Sequence, residues 1–338
     1  MLAQAARHEM IVQILGEQGS VCKTGSLETI LTTILGGHTD DVMEVAFSPN
    51  GHRLATASCD GTIKLRNPRD VSCLATIETE STHCMSVAFS HDGSLLASHT
   101  LNEISAHSTV TWSGSAKVWD AETGKLENTR YSSVDYYGSM PFSPVRNLIA
   151  LGDGPAIDLW LPLSGKSFKN LRSHSGNVQC LAFSPGGRFL ASATESHKDA
   201  VEIWDAGNGH VLRVLKQDGG PGLQVTFSSD GDMLACKLGG SVTIWCPING
   251  TIIKILHVPD SSNIRHMVFS PTGCVLACSY VGPAGLVRLW NHRTGEVLHT
   301  LHTPSQLFGM ALSPTGQLLV IGSHDHAVTW KLPEELSR

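Results

Sequence analysis

Histidines, cysteines and one Gly-Lys-Ser triplet are the residues of this 338-residue chain that could do chemistry, and their spacing argues against most of it. The 17 histidines are dispersed over many turns instead of sitting at metal-ligand spacing, so no metal site is expected. The nine cysteines, Cys22, Cys59, Cys73, Cys84, Cys180, Cys236, Cys246, Cys274 and Cys278, include no CxxC pair. They read as small buried hydrophobes in a reducing compartment. Gly165-Lys166-Ser167 lacks the upstream glycine of a phosphate loop, and no GxGxxG opens a helix. There is no HExxH and no GxSxG elbow, so neither a cofactor nor a catalytic centre is expected.

Charge and hydropathy narrow the class further. A formal net charge of −6 argues against a general phosphate-binding surface and hence against nucleic acid as a partner. No apolar run approaches the ~18 residues that span a bilayer. The opening MLAQAARHEMIVQIL has no basic leader before a long apolar core, so a signal peptide is not expected. These features predict a cytoplasmic protein, with a nuclear location compatible.

The elements that must position any site are short strands. Gly37–Asn67 reads as three of them: VMEVAFS alternates polar and apolar residues, SPNG turns, HRLATAS returns, CDGT turns again and IKLRN completes the unit. Such a unit cannot bury its apolar faces alone. The chain supplies partners by repeating it. An apolar residue followed by Ser recurs at Phe47, Phe89, Phe142, Phe183, Phe227, Phe269 and Leu312, at spacings of 42, 53, 41, 44, 42 and 43. A second marker ends each unit at Arg66, Trp119, Trp160, Trp204, Trp245, Trp290 and Trp330, so six of the seven tryptophans share one position. A period of roughly 40–45 residues marks a radial or stacked repeat.

The Gly-His start at residues 37 and 38, the apolar-x-Phe-Ser-Pro-x-Gly core and the endings Trp119-Asp120 and Trp204-Asp205 resemble WD40 repeats over roughly residues 29–332. The resemblance implies an all-β, seven-bladed β-propeller of four-stranded antiparallel blades, residues 29–333. It also implies that the last repeat lacks an outer strand. The β-rich Glu28–Leu35 is expected to pair with Ala327–Leu332 and close the ring, which removes an exposed edge. Residues 1–28 fall outside the repeats. They allow a short amphipathic helix, as a loosely attached leader or as the end of a linker from a longer parent chain.

In this family a His, a Ser or Thr, an Asp and the Trp form a buried hydrogen-bond relay that fixes a blade. The residues at those places are His38, Thr56 and Asp60 in the first repeat and His174, Ser192 and Trp204 in the fourth, all read as structural and not as an active triad. Arg66 replaces the first Trp, and the fourth turn Asp is displaced to Asp199. The relay is therefore expected to be incomplete or altered in every blade. Arg66 should either reach solvent along its aliphatic stem or meet an acid.

The resemblance also places the residue four before each Phe-Ser marker at the narrower channel mouth. Here these are Met43, Met85, Gly138, Gln179, Leu223, Arg265 and Phe308, a mostly apolar set suited to a peptide or protein surface. Ser98–Ser113 adds about eleven residues to the second repeat and carries His107 and the off-pattern Trp112. It is either a binding loop or a neutral excursion. The resulting expectation is a non-catalytic scaffold, a monomeric propeller within a complex, either free-standing or similar to the WD40 sensor end of larger signalling NTPases. The alternative is an enzyme or small-molecule binder using the channel, which would need more convergent polar groups at the mouth than Arg265 and Gln179.

Overall fold

The structure, a computed structural model, describes residues 31–106, 109–131, 139–172, 174–196, 200–216, 222–238, 241–257, 264–282, 285–303, 305–333 and 336. For residues 31–33, 104–106, 109–112, 222 and 223 it describes the backbone alone. The leader expected at 1–28, His107, Gly138 and Asp199 lie outside the described residues.

Among the described residues all regular structure is strand, arranged as seven antiparallel blades. Blade one is Val42–Phe47, Leu54–Ser58, Thr62–Arg66 and Cys73–Glu78, taken from the channel outwards. Six blades have four strands. The third has Ile149–Asp153, Ala156–Leu161 and Lys166–Arg172, with its innermost position marked by a single bridge from Phe142 to Ile149.

The two sequence markers have local physical reasons. In five of the seven repeats the Ser after the marker residue folds the first turn back on itself. Its hydroxyl accepts the N–H of the residue five further on: Arg53 to Ser48 at 2.9 Å, Leu95 to Ser90 at 2.9 Å, Phe189 to Ser184 at 2.9 Å, Met233 to Ser228 at 3.0 Å and Leu318 to Ser313 at 3.0 Å. The acid after the Trp shapes the next turn. Asp205 Oδ1 accepts the N–H groups of Gly207 (2.8 Å) and Asn208 (3.0 Å), and Asp120 and Asn291 repeat the pattern. Each marker tryptophan packs between blades.

The core confirms that a blade cannot stand alone. Seven clusters of buried apolar residues each straddle two neighbouring blades, one for every interface of the ring. Six contain one of the marker tryptophans. The seventh, between blades seven and one, holds Leu35, Val42, Val45, Leu54, Val320 and Ala327 and has no indole, because blade one carries Arg66 at that place.

The ring closes as the sequence predicts. Leu31–Leu35 runs antiparallel to Ala327–Lys331, with Leu31 opposite Trp330 and Leu35 opposite Ala327. One blade is thus built from both ends of the propeller. A chain cut to begin at Gly37 loses this strand and exposes the edge of Ala327–Lys331. Its thermal unfolding should become broad and shift down by ten degrees or more. A melting curve unchanged from the full chain would show that the strand is dispensable.

Arg66 takes neither route expected for it. It is only 6% exposed and meets no acid among the described residues; its guanidinium donates to the backbone carbonyl of Gly36, beside the closing strand. The insertion in blade two also differs from a loop. It lengthens the two middle strands to Leu95–Ala106 and Thr109–Asp120, paired continuously from Leu95–Asp120 to Ala106–Thr109. Trp112 stands opposite Glu103 in this ladder. Among the described residues the flanking strands pair no further than Leu101 and Ser115, and past them the hairpin continues as a two-stranded ribbon. Thr82 braces its base: its hydroxyl donates to Leu101 O (2.9 Å), and its N–H donates to Asn102 Oδ1 (3.2 Å).

Candidate functional site

A bulge in the innermost strand decides which side chains reach the channel. In five blades the neighbouring strand passes over one residue, between Val42 and Glu44, Cys84 and Ser86, Val178 and Cys180, Gly222 and Gln224, and Ile264 and His266. The residues passed over are Met43, Met85, Gln179, Leu223 and Arg265. Blade seven repeats the two-against-one geometry: Phe308 N–H donates to Gly322 O (2.9 Å), and Gly322 N–H donates to Gly309 O (2.8 Å). A bulge re-aims a side chain and bends its strand.

Met43, Met85, Gln179 and Arg265 line one channel cavity of about 830 Å³. Phe308 does not join them as a contact surface. It is 6% exposed and serves as a support, with the Arg265 guanidinium 4.7 Å above its ring and His324 edge-on at 5.7 Å. His324 Nδ1 is in turn 2.7 Å from Asp41. The chain Asp41–His324–Phe308–Arg265 therefore fixes the cation across blades one, seven and six.

The residue three before each marker forms a second ring just inside the mouth: Glu44, Ser86, Ser139, Cys180, Gln224, His266 and Gly309. All but Gly309 line the cavity, joined by His99 and Lys237 from second strands. This layer carries the polar groups that the rim sequence lacked. Several of them stitch blades together: Gln224 Oε1 accepts Met267 N–H (3.1 Å), and Ser139 donates to Leu181 O (2.8 Å). Gly309 is required because a Cβ there would lie 2.5 Å from Glu44 Cα and 2.9 Å from Glu44 Oε1. Glu44 fills the place blade seven leaves empty.

Electrostatics in this layer are shifted by burial. Burial pushes the Glu44 carboxyl up to about 8, opposed by the Val45 N–H and by the charge of Arg265. Burial, then the Arg265 charge, brings His266 down to about 4, and burial alone brings His99 to about 4. Burial also lowers Lys237, whose Nζ donates to Ile264 O at 3.1 Å. At neutral pH the described lining thus holds two cations, two neutral imidazoles and a mostly protonated acid.

The relay positions have their own geometry. His38 Nε2 is 2.7 Å from Thr56 Oγ1, and its Nδ1 is 2.8 Å from Asp60 Oδ2. Burial alone would raise Asp60, but hydrogen bonds from His38, Thr62 and the Thr39 N–H outweigh it and hold the carboxyl well below the usual range. In blade four His174 Nε2 lies 2.5 Å from Ser192 Oγ, which also accepts the Trp204 Nε1–H at 2.8 Å. Both sets lie between strands within their blades, and neither lines the channel cavity.

The WD domain, G-beta repeat, a family model, matches residues 29–67, 165–205 and 295–329, inside the seven-bladed ring. The chain is a WD40-repeat propeller. The family model falls on blades one and seven and on the third-to-fourth repeat, which carry most of the pattern residues. Human Striatin-4 is 32% identical over 187 residues, 53% of this chain and 24% of the relative. Rat Telomerase protein component 1 is 27% identical over 82% of this chain and 10% of its own length. Zebrafish (Danio rerio) Apoptotic protease-activating factor 1 is 24% identical over 88% of this chain and 27% of its own. The WD40 chain thus spans well under half the length of these relatives.

Proposed function

We propose that this WD40 propeller is a non-catalytic scaffold that binds protein or peptide partners at its channel mouth and so assembles complexes. The observation that carries the reading is the repeated bulge, which turns Met43, Met85, Gln179 and Arg265 into one cavity. Two adaptable thioethers supply apolar area, and a pre-oriented guanidinium supplies direction. A rigid ring needs little ordering on binding. Relatives named as a telomerase protein component and a protease-activating factor support an interaction role. We place the protein in the cytoplasm, with the nucleus compatible, on its nine cysteines without a pairing pattern. Whether it acts alone or as the interaction end of a larger signalling protein is decided by whether its transcript continues upstream of Met1.

The second reading, a small-molecule binder, is favoured by one observation: Glu44, Arg265, Lys237 and His266 share the cavity. Affinity purification with mass spectrometry separates the readings. Met43→Asp, Met85→Asp and Arg265→Glu together should reduce co-purifying proteins at least tenfold while the melting curve is retained. An unchanged set of partners on a folded variant would remove the mouth as the interface.

A further inference from the structure

The outermost strand of each blade leaves one edge of backbone N–H and C=O groups unpaired among the described residues. Such an edge is a template for a further strand unless its side chains discourage pairing. Several of these strands carry charge that does so. Lys166–Arg172 of blade three has three cations, Lys166, Lys169 and Arg172. Leu126–Tyr131 of blade two has Glu127 and Arg130, and Arg130 is held by Asp158 at 2.7 Å. Blade five differs. Its outermost strand, Ile252–His257, exposes three isoleucines, Ile252 (44%), Ile253 (48%) and Ile255 (37%). Its one lysine is turned aside: Lys254 Nζ donates to Thr294 O of blade six at 2.8 Å. Leu256 is buried on that same side with Val242 and Ile244. Ile255 lies between the two in sequence and so faces the other way.

Exposed apolar groups continue onto the seam with blade four, at Ile248 in the blade-five turn and Val214 in the strand Val211–Leu215. Arg213 ties that strand to the turn, donating to Ile248 O at 3.3 Å. The patch is thus flanked by Arg213 and Lys216 on one side and by Lys254 on the other. Arg213 and Lys254 donate to carbonyls, which leave their positive charge unneutralised. The outermost strands described for blades three to six contain no Asp or Glu. The acid in the adjoining blade-six turn, Glu296, accepts the Thr294 hydroxyl.

We propose that Ile252–His257 is a docking edge for an extended, acidic and apolar segment of a partner protein, which adds to blade five as a fifth strand. The open backbone edge supplies the ladder and the isoleucines supply apolar contact. Arg213, Lys216 and Lys254 supply the preference for acid. Two other occupants fit worse. A second copy of the same edge would set cations against cations. A lipid surface would take the open N–H and C=O groups out of water without partners, and such groups do not enter hydrocarbon. None of these residues lines the channel cavity, so the inference stands apart from docking at the mouth.

The test is fluorescence anisotropy of the full chain with labelled peptides, read beside amide hydrogen exchange. The probe is acetyl-Glu-Val-Thr-Val-Asp-Val-Glu-amide. One control replaces its acids with lysine, and a second methylates the N–H of every central residue, which keeps the side chains and removes the ladder. The acidic peptide should bind at least tenfold more tightly than either control and protect the amides of Ile252–His257 from exchange. Ile253→Lys combined with Ile255→Lys, both at exposed positions, should weaken it at least tenfold while the melting curve is retained. No binding of the acidic peptide by the wild-type protein, or equal binding of either control, overturns the proposal whether or not the variant folds. Protection that falls outside Ile252–His257 overturns the placement. A wild-type dimer in sedimentation that the double variant dissociates would make a second copy the occupant. Binding to phosphatidylserine vesicles that the double variant loses would make it a lipid surface. Either result overturns the partner assignment.

Discussion

Gly322→Val should lower the free energy of unfolding by about 3 kcal/mol, read as a drop in the denaturant midpoint. A Cβ at position 322 would lie 2.2 Å from the Val42 carbonyl oxygen and 3.2 Å from its carbon. Both are backbone atoms, so no rotamer change relieves the clash. Blade one can only move away, and that stretches the bonds from Val42 N–H to Ser323 O (2.8 Å) and His324 O (2.9 Å). The seam between blades seven and one is also the interface without an indole. It replaces side-chain volume with close backbone approach, and so tolerates intrusion least.

Arg66→Trp is the complementary test of the same seam and should stabilise by about 1–2 kcal/mol. The guanidinium now there is buried, and its Nε has no hydrogen-bond partner. In blade four the Trp204 indole donates to Ser192, and in blade two Trp119 donates to Ser98 at 2.9 Å. Thr56 occupies the matching place in blade one and already meets His38. A loss of stability in Arg66→Trp would show that the pocket has closed around arginine and no longer has the shape of an indole.

The blades were legible in the sequence because their determinants are local. A Ser that binds the N–H five residues on, and an Asp or Asn that caps the next turn, must recur at fixed offsets, and they do. The closing strand was legible because six complete blades leave one strand unaccounted for. The site was only half legible. The sequence pointed to the residue four before each marker, and the bulge does bring Met43, Met85, Gln179 and Arg265 together. The titratable chemistry sits one residue later, at Glu44 and His266. In a strand without a bulge, successive residues face opposite sides, so the residue pattern alone does not put both in one cavity. A count of polar residues three before each marker would have found them. Arg66 is illegible for another reason: its partner is a backbone carbonyl, which has no sequence signature. The long hairpin of blade two is hidden because extra residues lengthen a loop and a ladder alike. Phe308 is indistinguishable from a contact residue in sequence because apolar rim residues look alike until their neighbours are seen.

Glu44→Gln should change how stability depends on pH, by on the order of 2 kcal/mol at pH 9 after allowance for screening by channel water. The sign follows from the direction of the shift. The folded carboxyl titrates at about 8, while in the unfolded chain it returns to the ordinary glutamate range. Between those values the folded state holds a proton that the unfolded state has released, so stability falls as pH rises. The contribution is fully present below about pH 4, declines through neutrality and is gone above the folded value. Glutamine cannot lose a proton, yet it keeps the shape that fills the space over Gly309. Denaturant unfolding at pH 6 and pH 9 should therefore show a steeper loss for wild type than for Glu44→Gln, with the two curves converging in acid. Parallel curves would mean that Glu44 is already ionised at neutral pH, paired with Arg265. The same measurement separates this group from Asp60, whose depressed carboxyl stabilises above the ordinary aspartate range and is lost only in strong acid.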